Sequence, residues 1–236
     1  MGSISHLEPK NVFGFFEELC QIPHGSRNLQ QISDYFVKFA KERNLEYIQD
    51  DALNVVIKKP ASYGYENCPP VIIQGHMDMV AVKKPDCQKD LKVEGITPLT
   101  DGEYVWADGT SLGGDDGIAV AYALAILDSD TIKHPALEVI ITTDEEIGME
   151  GAIALDGSNI QGRMMLNIDS EEEGDLLVSC AGGLRVTSHL SVEREMKKGK
   201  KYSLSIEGLL GGHSGVEIHK ERGNANCLLG RLLYEL

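Results

Sequence analysis

The chain has 236 residues, 42% hydrophobic and 25% charged, which is enough apolar material for one large globular domain or for more than one. Asp and Glu outnumber Lys and Arg by 37 to 22, and the net charge of −15 argues against nucleic acid or an anionic membrane as a partner. The longest nearly apolar run, 117–127, is too short to span a bilayer, and the first residues lack the apolar stretch of a signal peptide. We therefore expect a cytoplasmic protein.

Helical and extended patterns alternate in the first part of the chain. Apolar residues at helical spacing predict helices over 9–20, 28–44 and 117–130. Apolar strands that alternate with helices are typical of an α/β fold, in which a mostly parallel mixed sheet is flanked by helices. The short apolar runs that predict these strands are residues 54–59, 70–74, 136–143 and 163–168.

The pattern changes near Gly183. Residues 184–195 and 200–208 alternate apolar and polar side chains, which predicts an antiparallel pair of strands with one solvated face. We therefore predict a domain boundary at this point. Residues 1–183 would form the first domain, and 184–236 the beginning of an incomplete α+β domain.

Four polar clusters follow the predicted strands or precede the third predicted helix. In open α/β sheets the carboxyl ends of the strands line one edge, and ligands bind there. We therefore expect the clusters to meet in one crevice, although they lie far apart in sequence. The clusters are His76 with Asp78, Asp115 with Asp116, the acidic run 144–146, and Asp169.

Each cluster taken alone has a simpler explanation. His76 and Asp78 suit an ordinary polar strand end, and Asp115 and Asp116 suit a helix cap. A metal site explains the set better, because positions 76 and 78 of an extended chain point to the same side and Asp78 can then hold the imidazole of His76. One histidine with three carboxylates suits zinc or manganese, and it is rich enough for two ions that share a bridging carboxylate.

A competing interpretation comes from GTSLG, residues 109–113, which fits the G-x-S-x-G pattern of a nucleophilic serine. That pattern requires a buried apolar strand directly before it, whereas the preceding YVWADGT is mixed and short. Ser111 is therefore predicted to be a loop residue. A serine hydrolase that uses Ser111 remains an alternative.

Six segments occur in the order and spacing of the M20 metallopeptidases: GHMDMV, GTSLGGDDG, TTDEEIGMEGA, NIDSEEEG, CAGG and GGHSG. The chain resembles the aminoacyl-histidine dipeptidase branch of this family (peptidase D, carnosinase-like) over essentially its whole length. The resemblance implies a zinc-peptidase-like catalytic domain in residues 1–183. It also implies that 184–236 begin a lid domain through which two copies of the chain form a homodimer.

The resemblance assigns the metal ligands. His76 and Asp169 would be terminal ligands on different metals, and Asp115 would bridge the two. Glu146 would be a further ligand. The implied cofactors are two divalent ions, with Zn²⁺ expected and Mn²⁺ or Co²⁺ as alternatives.

The resemblance also implies a reaction, which is hydrolysis of the peptide bond of a small dipeptide, with Xaa-His dipeptides as the expected substrates. Glu145 would be the general base that takes a proton from the attacking water, and Asp78 would support His76. His213 in GGHSG would reach the active site of a second copy and hydrogen-bond the oxyanion. A related amidohydrolase or aminoacylase is one alternative. A non-catalytic metal-binding protein is another, although such a protein does not need Glu145.

Members of this family return to the catalytic domain after the lid, and there they supply one more metal-ligand histidine. This chain ends at Leu236, inside the helix predicted over 224–236, so that histidine is expected outside it. We expect the 236-residue chain alone to be inactive as a peptidase and to bind fewer than two metals tightly.

Overall fold

The computed structural model of the chain describes residues 4–170, 174–180, 182, 184, 186–212 and 217–235. The chain forms two compact units, Met1–Leu176 and Leu177–Leu236. The division falls a few residues before the boundary predicted near Gly183, a position outside the described residues. The assignment of the two units to a catalytic domain and a lid domain stays a prediction.

The strands of the first unit form a five-stranded sheet and a separate antiparallel pair. The larger sheet has the order β1-β2-β6-β3-β7, and the pair consists of β4 and β5. In chain order the strands are β1 (Glu46–Gln49), β2 (Val55–Lys59), β3 (Val71–His76), β4 (Pro98–Thr100), β5 (Val105–Ala107), β6 (Leu137–Thr142) and β7 (Met164–Asn167).

The larger sheet is mixed, as predicted. β2 pairs antiparallel with both β1 and β6, whereas β3 pairs parallel with both β6 and β7. The parallel part is therefore confined to the three strands β6, β3 and β7. The four strands predicted from the sequence are confirmed as β2, β3, β6 and β7. β1 was not predicted, since its sequence EYIQ is short and half polar.

Helices accompany the sheet where the apolar spacing predicts them. The helices of the first unit are α1 (Lys10–Cys20), α2 (Gln30–Glu42), α3 (Gly114–Asp128) and the short α4 (Glu150–Ala154). α3 packs against β3 and α1, and α2 packs against β1 and β2. The regular part of α3 begins after Asp116, because Asp115 and Asp116 have non-helical backbone angles.

The two faces of the sheet carry separate apolar clusters. Alternate residues of a strand point to opposite faces, and β2 shows this directly: Val55 and Ile57 belong to the main core with α1, α2 and α3, whereas Val56 belongs to a smaller cluster. Leu155 and Ile160 pack against that smaller cluster. The central strands are thus covered on both faces, whereas all four residues of the edge strand β7 are exposed.

The described part of the second unit contains α5 (Ala225–Glu235) and a short 3-10 helix, Ile218–Lys220. The antiparallel pair predicted over 184–195 and 200–208 is wrong for the residues described there, which form no strand. These residues are almost all exposed. An isolated two-stranded pair is marginal in water without a surface to pack on, so alternation alone does not produce one.

Crossing a bilayer takes a helix of about 20 apolar residues. Among the described residues, no helix reaches the length and apolar character that a membrane span requires.

Candidate metal centre

Parallel strands place their carboxyl ends at one edge of the sheet, and here each of the three ends is followed by polar residues. His76 is the last residue of β3, Glu145 and Glu146 lie in the loop after β6, and Asp169 follows β7. The first turn of α3, which packs against β3, adds Asp115. The structure therefore brings the four predicted clusters together at one edge.

His76 is buried, and its two ring nitrogens face different groups. Nδ1 lies 2.9 Å from the carbonyl oxygen of Asp78 and 3.4 Å from its carboxylate. Nε2 lies 3.1 Å from Oδ1 of Asp115 and 4.0 Å from Oδ2 of Asp169. When Nδ1–H donates to Asp78, the lone pair of Nε2 points at the acidic cluster, which is how a histidine is prepared for a metal.

The surroundings of His76 favour its protonated form as long as no cation is bound. Burial by itself lowers the pKa of His76. The hydrogen bond with Asp78 and the charges of Asp116, Asp78 and Asp169 outweigh burial and raise the pKa to about 10. A metal ion must therefore displace a proton from this ring, and it would supply the positive charge that the carboxylates demand.

Two groups of candidate ligands share one residue, Asp115. The ligand atoms of His76, Asp115 and Glu146 lie within 4.8 Å of one another, and so do those of Asp115, Asp116 and Asp169. A carboxylate common to both groups stands where a bridging ligand would be. All these donors are imidazole nitrogen or carboxylate oxygen, the set that zinc and manganese accept. The residues present therefore fit divalent cations.

Asp78 connects His76 with the loop that carries the two glutamates. Its side chain is fully buried. The carboxylate accepts hydrogen bonds from the backbone N–H groups of Glu145 (2.9 Å) and Glu146 (3.3 Å) and from the hydroxyl of Ser26 (2.8 Å). Burial raises the pKa of Asp78, but the hydrogen bonds from His76, Glu145 and Ser26 together lower it below its usual value. Asp78 is therefore ionised, and it fixes the backbone of both glutamates.

The two glutamates themselves are half-buried. Burial raises the pKa of both, and the charge of Asp115 raises both further while His76 opposes the shift. A carboxylate with a raised pKa accepts a proton more readily near neutral pH. Glu146 belongs to a ligand group, whereas Glu145 belongs to neither of the groups found among the described residues. The structure thus places Glu146, and not Glu145, among the candidate ligands.

Asp116 has a place in the site that the sequence did not assign to it. The simple expectation was a helix cap, yet α3 begins after Gly113 with no side-chain cap. Asp116 is buried, and its Oδ2 accepts a hydrogen bond from the backbone N–H of His76 (3.1 Å). Burial, with help from Asp169, raises its pKa to about 8. A side chain at Gly75 would come within 2.6 Å of this oxygen, so the close approach requires glycine there.

Ser111 is held as a loop residue. Its hydroxyl donates to the carbonyl oxygen of Val80 (2.6 Å) and accepts from the N–H of Val82 (3.1 Å). A nucleophilic serine needs its hydrogen directed at a base, whereas this hydrogen is directed at a backbone carbonyl. The predicted histidine, His213, lies outside the described residues.

The fold and the donor set define a carboxylate-rich metal site at the edge of an α/β sheet, a kind of site that metal-dependent hydrolases use. The chain matches peptidase family M20/M25/M40 over residues 72–223, which is more than half of its length. It belongs to that family.

Comparisons with individual proteins are consistent with this family assignment. The chain is 44% identical to the cytosol non-specific dipeptidase of Escherichia coli (strain K12), over 99% of this chain and 48% of the relative. The crystal structure of aminoacylhistidine dipeptidase from Vibrio alginolyticus has a TM-score of 0.76 and 40% identity, over 98% of this chain and 47% of that one. Aminopeptidase PepT from Bacillus cereus has a TM-score of 0.58 and 26% identity, over 70% of this chain and 44% of that one. The chain thus spans about half the length of the relatives it matches.

Proposed function

We propose that the full-length protein is a metal-dependent dipeptidase, which hydrolyses the peptide bond of small dipeptides. The observation that carries the proposal is the position of Asp115, which is shared by two groups of candidate ligands beside the buried Nε2 of His76. Membership of the peptidase family supports the reaction class. The dipeptidases of Escherichia coli and Vibrio alginolyticus support the choice of a dipeptide among possible peptide substrates.

The proposed cofactors are two divalent cations, with Zn²⁺ preferred and Mn²⁺ or Co²⁺ as alternatives. His76 and Asp169 would each hold one cation, Asp115 would hold both, and Glu146 would be a further ligand. Such cations, when bound, lower the pKa of a water molecule and polarise a carbonyl oxygen.

The protein's own groups would move the protons. Glu145, with its raised pKa, would accept a proton from the attacking water and pass it to the leaving amine. Asp78 would hold Glu145 in place through the backbone N–H of that residue and would fix the ring of His76. His213 would donate to the oxyanion from a second copy of the chain, which makes the proposed assembly a homodimer.

The substrates are proposed to be small dipeptides, with Xaa-His dipeptides among them, and the compartment to be the cytoplasm. One relative is called non-specific and another is called aminoacylhistidine dipeptidase, so the breadth of the side-chain preference must be measured. The preference can be measured with a panel of Xaa-His, Xaa-Leu and Xaa-Gly dipeptides, with N-acyl amino acids as comparison compounds. Hydrolysis of the N-acyl amino acids alone would show that the protein is an aminoacylase and not a dipeptidase.

Two substitutions in the full-length protein test the roles. Glu145→Gln should abolish turnover and leave the metal content near two per chain, because Glu145 is not proposed as a ligand. Asp115→Ala should remove both metals, because it is proposed to hold both. Loss of metal from Glu145→Gln to the same extent as from Asp115→Ala would show that the roles are wrong.

The proposed role of His213 has its own test. His213→Ala should lower kcat by about a hundredfold or more, the usual cost of a lost oxyanion donor. Mixing that variant with Glu145→Gln should restore part of the activity, since one hybrid site then contains both residues. Absence of recovery despite measured subunit exchange would place His213 outside the partner's site.

A further inference from the structure

The loop that carries Glu145 and Glu146 runs from Thr143, just after β6, to Gly151 in α4. Its ends are joined to each other, because the N–H of Gly151 donates to the carbonyl oxygen of Thr143 (3.0 Å). Its middle is held by Asp78, as described above. The two ends have a separate anchor in the rest of the fold.

One buried side chain, that of Asn54 directly before β2, supplies that anchor. It is 1% exposed. Its Oδ1 accepts the N–H of Thr143 (3.0 Å), and its Nδ2 donates to the carbonyl oxygen of Gly151 (2.9 Å). The amide therefore bonds the first and the last residue of the loop at the same time.

The orientation of the amide is fixed by a neighbour. Asp50 accepts the backbone N–H of Asn54 (2.8 Å) and also its Nδ2 (2.8 Å). The amide nitrogen thus faces two acceptors, and the amide oxygen faces the N–H of Thr143. A flipped amide would place like groups against each other at its contacts with Asp50, Gly151 and the N–H of Thr143, so only one orientation satisfies the site.

Packing leaves no space for adjustment at this anchor. A Cβ at Gly151 would lie 2.2 Å from Oγ1 of Thr143 and 2.5 Å from Oδ1 of Asn54. Contacts this short cannot be accommodated without movement of the loop. Gly151 is therefore part of the same anchor, and its substitution offers a way to disturb the anchor without deleting a hydrogen-bonding group.

We propose that Asn54 is a positioning residue, which sets the position of Glu145 and Glu146 relative to His76 by binding both ends of their loop. Asn54 itself touches neither a candidate ligand nor the reacting atoms. The consequences for proton transfer and metal binding rest on the proposed function, whereas the consequence for the positions of the two glutamates does not.

The test compares three variants of the full-length protein. Asn54→Ala removes the anchor, and Gly151→Ala displaces it. Ser33→Ala is the matched control: Ser33 is also fully buried, and it donates to the carbonyl oxygen of Leu53 (2.8 Å), directly before Asn54 in the chain. Each variant is measured for amide hydrogen exchange in the loop, for the visible absorption of the Co²⁺-loaded protein, and for kcat and KM on a dipeptide.

For Asn54→Ala and Gly151→Ala we expect exchange at least about tenfold faster at Thr143, an altered Co²⁺ spectrum, and a kcat lowered by about 10- to 100-fold, since small misplacements of catalytic groups have effects of this size. KM should change far less. Ser33→Ala should match the wild type in exchange, spectrum and kcat, even if its unfolding midpoint falls as much.

Equal exchange rates and spectra in Asn54→Ala and Ser33→Ala would overturn the proposal, and so would a kcat that falls only in proportion to stability. If Asn54→Ala does not fold, the same comparison with Gly151→Ala decides. If the wild type hydrolyses no dipeptide, the proposed function fails, while exchange and the Co²⁺ spectrum still decide whether Asn54 positions the loop.

Discussion

Asp78→Asn is a sharp perturbation of the site, because it keeps the size of a fully buried side chain while it removes the negative charge and replaces one acceptor with a donor. The carboxylate accepts from Glu145 and Glu146 N–H and from Ser26. When the oxygen of the new amide accepts the N–H of Glu145, its NH₂ group faces the N–H of Glu146, so that two donors oppose each other. The Ser26 hydroxyl, by contrast, can rotate and accept a hydrogen bond from the NH₂ group. A buried N–H without an acceptor costs about 1–3 kcal/mol, so the free energy of unfolding should fall by that amount.

Metal binding should fall as well, because Asp78 also contacts Nδ1 of His76. Loss of such a partner typically weakens metal binding or activity by about 10- to 100-fold. Urea unfolding of the metal-free protein and calorimetric titration with Zn²⁺ measure the two effects separately. Ser26→Ala is the control, since it removes one contact and leaves the backbone contacts intact. Wild-type affinity and stability in Asp78→Asn would refute the reasoning.

Four further predictions concern two glycines, a buried cysteine and a buried aspartate. Gly75→Ala should weaken Zn²⁺ binding in the same titration, because the added Cβ would lie 2.6 Å from Oδ2 of Asp116. Gly14 lies in α1 and a Cβ there would have nothing within 4 Å, so Gly14→Ala should raise the free energy of unfolding by about 0.5–1 kcal/mol. Burial raises the pKa of the Cys20 thiol to about 12, whereas Cys68 is exposed. Iodoacetamide at pH 8 should therefore modify Cys68 in the folded protein and spare Cys20. Mass spectrometry that finds Cys20 modified first would contradict this. Burial raises the pKa of Asp116 from 3.8 to about 8, so its contribution to stability in the metal-free protein is complete below pH 3.8 and is lost as the pH rises toward 8. Asp116→Asn should therefore flatten the fall in unfolding free energy between pH 5 and pH 8, and equal slopes in the two proteins would count against this assignment.

The meeting of the acidic clusters could be predicted from the sequence because it depends on a general property of parallel strands. His76 is the last residue of β3, and Asp169 lies shortly after β7. These two parallel strands are neighbours in the sheet, so their carboxyl ends share an edge. Asp116 could not be assigned, because the same residue at the start of a helix also suits a cap. What separates the two roles is the partner of the carboxylate, which accepts the N–H of His76 instead of an N–H of the helix, and the sequence does not reveal that contact.

Other features depend on contacts that a linear pattern does not contain. Asn54 and Thr143 are 89 residues apart, and nothing in NVVIKK indicates that its first residue binds a distant loop. The strands predicted over 184–195 and 200–208 show the opposite error, since the described residues there alternate apolar and polar side chains and yet form no strand. Local pattern predicts an element reliably when the rest of the fold supplies its partner, as it does for β2 and β6.

The division of labour proposed for Glu145 and Glu146 depends on the turn after β6 as much as on the two carboxylates. If β6 continued straight, neighbouring side chains would point to opposite faces of the sheet, and one glutamate would leave the site. Instead Asp144 adopts a φ of +51°, where its carboxylate accepts the N–H of Arg27 (2.7 Å), and the chain turns out of the sheet. The N–H groups of Glu145 and Glu146 then both donate to Asp78, and the charge of His76 acts on the pKa of both side chains. The proposed roles of the two adjacent glutamates, one as a ligand and one as a base, therefore require that the backbone before them is bent and anchored.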